Sequence, residues 1–364
     1  MASIAHVGID VHEGKFRVAL LPEGGTQFLD QCTLSSEPRQ VLQYLGRWGR
    51  DYEMHCYYEA GALGYAPHRW LTQAGVQCQV IAPSLTPRAP GDRVRTDARD
   101  ARRLALQGRA GGLVAVHVPT PEEEAVRELV RCRLVQLRVL TAARQRVQAW
   151  LLRHGVRAPG GCKSWTRAYW QWLQRVVHQI PAEAPEAWTM ETYLGAVRYQ
   201  EQQLAAADRE VAAWAQHPRY APTVKKLGCF RGIDTLSGMM ISTESGDFTR
   251  FPTAPQYASY WGVTGAEDST GKSRRLGGIT KCGCDHMRWL WIQIAWHYQY
   301  RPAVGIALAK RQEGQPAEVV AHAWEAQRRL YRKFWRLKQR KSGGQAVTAV
   351  ARELSCFVWG AMTM

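Results

Sequence analysis

The chain has 364 residues, 46% hydrophobic and 22% charged, which supplies apolar material for buried cores and excludes disorder along its whole length. Lys and Arg number 48 against 31 Asp and Glu, a formal net charge of +17. The partner that relieves such an excess is a polyanion, usually nucleic acid. At roughly 150 residues per domain, this length predicts two or three domains. Fifteen Trp among many Arg add flat surfaces for unpaired bases, although most such rings fill cores. Nine scattered Cys without framework spacing, and no secretory signal at Met1, predict reduced thiols in an intracellular protein. No apolar run approaches the roughly 18 residues of a membrane span, so no membrane partner is expected.

Alternating apolar residues predict strands at His6–Val11, Phe16–Leu21 and Thr26–Thr33, joined by HEGK and PEGG turns as a β-meander. A helix over Glu37–Trp48, a strand at Met54–Ala60, a helix over Tyr65–Ala74 and a strand at Gln77–Ala82 follow. After the polar loop SLTPRAPGDRVR come a helix from Asp97 to about Gln107 and a last strand, Leu113–Val118. Strands first antiparallel and then alternating with helices fit a ribonuclease-H-like mixed sheet better than a doubly wound one. From Glu122 to Arg153, Val126, Val130, Leu134, Leu137 and Leu140 return at helical steps, with Arg127, Arg131, Arg138, Arg144 and Arg146 interleaved. Further helices at Trp165–Val177 and Met190–Gln216 complete an antiparallel, coiled-coil-like arm. Beyond Pro218 and Pro222, LGCFRGIDTLSG reads as a helix-hairpin-helix turn able to offer amides to a phosphate. The tail puts Leu330, Phe334 and Leu337 on one stripe of a helix whose polar face carries Arg328, Arg329, Arg332, Lys333 and Arg336. That one-sided charge points to nucleic-acid phosphates. The class is α/β plus α, with segments 1–120, 121–217, 218–302 and 303–364.

Four acids stand where such a sheet brings acids together. Asp10 ends the first strand, Glu59 ends the strand HCYYEA, and Asp97 and Asp100 lie three apart on one helix face behind the cap residue Thr96. Hard divalent cations such as Mg²⁺ (or Mn²⁺) take oxygen ligands and need few carboxylates, and two such ions can hold both oxygens of a phosphodiester displacement. Each acid alone has a plainer reading, as a turn cap or a helix-start charge; together, in the order strand, strand, helix, they predict a metal site. In the Gly-rich segment, Ser269 and Thr270 precede Gly271, with Lys272, Arg274, Arg275 and Lys281 beyond. A hydroxyl attacking phosphorus needs such charge nearby, although a solvated loop has the same composition. Cys282, Cys284, Asp285 and His286 lack the paired ligand spacing of structural zinc.

GID, YEAxGxxY and TDxxDAxxLA, followed by GDFTRFPTAPQYASYWGVTG and STGKSRRLGGITKCGCDHMRWLWIQIAWHY, resemble the DEDD-type insertion-sequence transposases of the IS-one-ten family. The resemblance implies a RuvC-like domain, a helical arm and a small, mainly helical transposase domain. It implies that Asp10, Glu59, Asp97 and Asp100 bind metal and that a serine joins covalently to DNA. A structured noncoding (bridge) RNA would choose the donor and target double-stranded DNA, and a homo-oligomer, dimer or tetramer, would complete a composite site between protomers. A cytoplasmic, bacterial nucleoid-associated location follows. The chain departs from the family pattern at three places: Gly265 stands where a Pro is usual, Thr270 where a Ser precedes the Gly, and Cys284 where an Asn is usual. Either Thr270 or Ser269 is then the nucleophile, and the less hindered primary hydroxyl favours Ser269. The alternatives are a RuvC-like nuclease or junction resolvase using water, an actin-like phosphotransferase lacking its second phosphate turn, and a non-catalytic nucleic-acid binder.

Overall fold

The computed structural model describes residues 3–87, 96–270, 273 and 275–364. The chain divides into two compact units, Met1–Pro119 and Thr120–Met364. In the first, β1 (Ser3–His12), β2 (Lys15–Pro22) and β3 (Asp30–Ser35) precede α1 (Pro38–Trp48), β4 (Tyr52–Glu59), α2 (Ala66–Gln73), β5 (Gln77–Ile81) and α3 (Asp97–Arg109). The sheet order is β3-β2-β1-β4-β5. The first three strands pair antiparallel, whereas β4 and β5 run parallel to β1. This five-strand mixed sheet agrees with the ribonuclease-H-like expectation.

Strand periodicity assigns the two faces. Ala5, Val7 and Ile9 of β1 share one core with Cys56 and Tyr58 of β4, Val41 and Leu45 of α1, and Leu71 of α2. The residues between them, starting from Gly8 and Tyr57, turn to the opposite face, where α3 lies and Tyr57, Ile81 and Leu104 cluster. Two expectations shift. β3 begins at Asp30 rather than Thr26 because the Gly-rich turn is longer, closing when Leu29 N–H donates to Leu20 O at 2.9 Å. The segment expected as a strand at Leu113–Val118 runs beside β5, with Ala82 N–H donating to Val114 O (2.9 Å) and Val116 N–H to Val80 O (2.8 Å). It forms a single bridge, Ile81 to Ala115, rather than a strand, since Pro119 ends it within a few residues.

The second unit begins with α4 (Pro121–Arg153), α5 (Arg167–His178) and α6 (Pro185–Trp214). Thr120 and Glu123 form a reciprocal capping box at the start of α4, with Pro121 in the first turn. α6 starts five residues before the expected Met190, because Pro185 opens the helix and Ala187 is already buried. Arg133 Nε bonds Asp208 at 2.7 Å, and Arg144 Nη2 bonds Glu201 at 2.7 Å, so α4 and α6 run antiparallel. Their outer halves share a core with α5 through Leu140, Val147, Trp150, Leu173 and Leu194.

Then come α7 (Ala221–Gly228), α8 (Thr235–Ser245), α9 (Ala254–Tyr260), a hairpin of β6 (Gly265–Glu267) and β7 (Leu276–Ile279), α10 (Asp285–Ala295), α11 (Ile306–Gln312), α12 (Ala317–Lys338) and α13 (Gly343–Met362). The α12 stripe of Leu330 and Phe334 packs with Trp261, Trp291, Val350 and Leu354 in one core shared by α8, α9, α10 and α13. No helix among the described residues is long and apolar enough to cross a membrane.

Candidate active site

The β1–β4 register sets Gly8 opposite Tyr57. The pairing ends there; two residues on, by strand alternation, Asp10 and Glu59 lie towards the ends of β1 and β4 on the same face as Gly8 and Tyr57, the face that carries α3. A Cβ on Gly8 would meet Ala101 O at 1.9 Å, and one on Gly108 would meet the Tyr57 ring at 2.3 Å. Two glycines therefore let α3 lie directly on the sheet, burying Ala101, Leu104 and Ala105. The N-terminal turn of α3 carries Asp97 and Asp100, and Thr96 Oγ1 caps it by accepting from Arg99 N–H at 3.3 Å.

Basic side chains that the sequence pattern did not single out lie among these acids. His12 Nε2 stands 3.1 Å from Asp10 Oδ2 and 3.8 Å from Asp97 Oδ1, and Lys15 Nζ is 3.4 Å from Asp97 Oδ2. Arg103, 14% exposed, sets Nη2 2.6 Å from Asp100 Oδ1 and 3.8 Å from Glu59 Oε1. Two of them were accessible to simple periodicity: His12 lies two residues from Asp10 on a strand, and Arg103 lies three from Asp100 on a helix. Burial pushes the Asp10 carboxyl above the usual carboxylate value; His12 pulls it back, and Asp97 and Asp100 push it up again. Those mutual effects show that the acids of β1 and α3 occupy one electrostatic neighbourhood.

Donor chemistry here fits a hard divalent cation. Ligand atoms of Asp10, His12 and Asp97 lie within 4.8 Å of one another. Glu59 Oε1 and Asp100 Oδ1 are buried and have no hydrogen-bond partner, although the Asp100 oxygen touches Arg103 as an ion pair. Buried carboxylate oxygens left without donors are costly in any role except one that brings them a cation.

The hydroxyl segment forms the exposed end of the β6–β7 hairpin. Ser269 Oγ donates to Glu267 Oε1 at 2.8 Å and accepts from Arg275 N–H at 3.3 Å. Thr270 and Ser273 exchange backbone hydrogen bonds of 3.0 and 2.9 Å. Glu267 was not singled out in the sequence; its position two residues before Ser269 on an extended segment was the available signal. Lys281 follows with φ of 57°, its N–H on Gly262 O at 3.2 Å, and Gly262 has no room for a Cβ, which would meet Cys282 O at 2.2 Å. Lys272 and Arg274 lie outside the described residues. Arg288 donates to Cys282 O (2.6 Å) and Gly283 O (2.9 Å), bracing the loop before α10.

On α12 the basic residues divide. Arg329 and Lys333 both pair with Glu353 of α13, the lysine at 2.5 Å, and Arg328 lies 3.6 Å from Glu325. Arg332 and Arg336 are exposed, and among the described residues no acid pairs with them. At the helix-hairpin-helix turn, Asp234 Oδ1 accepts from Ser237 N–H at 2.8 Å, so an amide predicted for phosphate already has a carboxylate of the chain itself.

Comparison with known proteins agrees with this architecture. The DEDD_Tnp_IS110 family model, described as a transposase, matches residues 7–155, and the model of the transposase IS116/IS110/IS902 family matches residues 225–305. The chain is 37% identical over 361 residues to a putative transposase, y4qE, of Sinorhizobium fredii, covering 98% of this chain and 87% of that protein. It is 30% identical over 345 residues to the transposase for insertion sequence element IS1533 of Leptospira borgpetersenii, covering 92% and 97%. A probable family 20 transposase of Pseudomonas aeruginosa is 28% identical over 244 residues, 66% of this chain and 70% of that protein. With its likeness over nearly its full length, the chain belongs to the IS110 family of insertion-sequence transposases, enzymes that act on DNA.

Proposed function

We propose that this transposase cuts and rejoins DNA by metal-assisted phosphoryl transfer, with Asp10, Glu59, Asp97 and Asp100 as ligands of Mg²⁺ or Mn²⁺ and Ser269 as nucleophile. The observation that carries this reading is the gathering of buried oxygens of Glu59 and Asp100, met by no hydrogen bond and only by the Arg103 ion pair, with the cluster of Asp10, His12 and Asp97. Bound divalent cations supply charge stabilisation to the attacking and leaving oxygens of a phosphodiester. The chain supplies the rest.

As the Ser269 Oγ–P bond forms, the hydroxyl proton passes to Glu267 Oε1, already its acceptor at 2.8 Å. The bond from phosphorus to the leaving nucleotide oxygen breaks, and that oxygen takes a proton from water. Attack by a second strand's hydroxyl breaks the Oγ–P bond; its proton goes to solvent, neutralising the hydroxide left by the first step, and Ser269 recovers its proton from Glu267. One phosphoester replaces another at each step, so no ATP is consumed. The Ser269–Glu267 bond favours Ser269 over Thr270, whose described bonds are those of its backbone with Ser273. Arg275 and Lys281, with Lys272 and Arg274, supply positive charge to the phosphate. On α12, the exposed Arg332 and Arg336 carry most of the nucleic-acid contact proposed for Arg328, Arg329, Arg332, Lys333 and Arg336. A structured guide RNA selecting the DNA sites, and a homo-oligomer in which the carboxylates and the hydroxyl come from different protomers, complete the proposal.

The test is incubation of the full chain, with the RNA that copurifies with it, and DNA containing the element's ends. In Mg²⁺ or Mn²⁺, wild type should give a denaturation-resistant protein–DNA adduct that Ser269→Ala abolishes. Cleavage without any adduct would assign the attack to water and reject the serine mechanism.

A further inference from the structure

We infer that Arg103 is a displaceable counter-ion of the carboxylate site: it competes with the divalent cation for Glu59 Oε1 and Asp100 Oδ1 and thereby sets how tightly the site takes metal. The inference rests on the metal reading above and concerns the order in which charges use the same oxygens.

Three atoms carry it. Glu59 Oε1, Asp100 Oδ1 and Arg103 Nε are each buried without a hydrogen-bond partner, and the guanidinium lies between the first two. A fully used arginine fork binds a carboxylate bidentately, as Arg131 does with Nε and Nη2 on Glu244 at 2.6 and 2.9 Å. Arg144 holds Glu201 through Nη2 alone with its Nε unpartnered, as Arg103 holds Asp100; what sets Arg103 apart is that its guanidinium lies against two carboxylates of the candidate metal site. Arg103 reaches Asp100 through Nη2 alone, stays 3.8 Å from Glu59, and leaves Nε without an acceptor. Its hold balances the charge of both acids through one contact to Asp100 and a longer approach to Glu59, the same two oxygens a cation would take. A divalent cation at the same oxygens brings twice the charge, and the guanidinium must then withdraw, since like charges this close repel strongly at low dielectric. His12 and Lys15 flank Asp10 and Asp97, but their side chains are 51% and 61% exposed and hold those acids less firmly.

Arg103 is thus a positioning residue, and its effect should be legible in metal affinity apart from catalysis. Mn²⁺ binding to the full chain is followed by electron paramagnetic resonance, and thermal unfolding is recorded in EDTA and in Mn²⁺. Arg103→Gln should bind Mn²⁺ about tenfold tighter than wild type, because one repelling charge is gone. It should also melt lower in EDTA and gain more from Mn²⁺ than wild type. Arg103→Lys restores the charge and should return the affinity toward wild type, which loss of packing alone would not do. A glutamine chain that folds only with Mn²⁺ supports the inference, whereas one unfolded under both conditions overturns it. Equal affinity in wild type and Arg103→Gln overturns it while leaving the metal site intact. Wild type that binds no Mn²⁺ removes the metal reading itself, and the inference with it.

Discussion

Gly8→Ala tests the packing that assembles the site. The new Cβ would stand 1.9 Å from Ala101 O, 2.7 Å from Ala105 N and 3.0 Å from Ala101 C. All three are backbone atoms of α3, so no side-chain rotation relieves the overlap; strand and helix must separate by about 1.5 Å to restore ordinary contact. Separation strips contact from Ala101, Leu104 and Ala105, buried to 1% exposure or less. Overpacking of that kind costs about 1–3 kcal/mol. Because Asp97 and Asp100 ride on α3, the same shift moves them off Asp10 and Glu59, and a misplacement of about 1 Å costs on the order of a hundredfold in rate. Urea unfolding of the full chain, Mn²⁺ affinity and single-turnover DNA cleavage measure the three effects. Gly24→Ala, with nothing within 4 Å of its Cβ, is the control. If Gly8→Ala matched that control in stability, metal affinity and rate, the close seating of α3 on β1 would not be what assembles the acids.

Further expectations concern the hairpin and the helical unit. Glu267→Gln should slow adduct formation by about 10²–10³-fold in single-turnover assays, while Thr270→Ser should leave it near wild type. Arg131→Met leaves the Glu244 carboxylate, 5% exposed, without its bidentate partner and should cost about 2–3 kcal/mol by urea titration; adding Glu244→Gln should recover part of that loss. Burial pushes the Glu353 carboxyl up, but Lys333 and Arg329 outweigh it and leave it below its ordinary value. The stabilisation from this group is therefore fully present above the ordinary carboxylate range and is lost as the pH falls through the lowered value. Glu353→Gln should cost about 1 kcal/mol at neutral pH and nothing once Glu353 would be protonated, measured as the difference in unfolding midpoint across pH.

Much of the architecture was legible along the chain, because strand and helix periods are local properties. The alternation through Asp10, the Pro121–Glu124 helix start and the Leu330–Phe334 stripe each announced elements that formed within a few residues of expectation. Boundaries moved where a turn or edge contact decided them, as at Asp30 and along Leu113–Val118. The four acids were singled out by type and order, and their metal-binding role by the resemblance. Their neighbours His12 and Arg103 were not, since a basic residue near an acid has many ordinary explanations until its distance and burial are known. The α12 charges show the reverse: in sequence Arg329 and Lys333 looked like Arg332 and Arg336, and Glu353 on α13, twenty residues beyond Lys333, gives them an internal partner.

Order and residue type supplied the proposed reaction class: oxygen donors on two strands and a helix start, with a hydroxyl in a Gly-rich turn. Tertiary structure alone decided which atoms face one another. Whether an arginine pairs with a carboxylate, or Glu267 with Ser269, depends on ångström-scale separations set by register and helix seating. Electrostatic and hydrogen-bond energies fall off over just those distances, and no one-dimensional pattern encodes them.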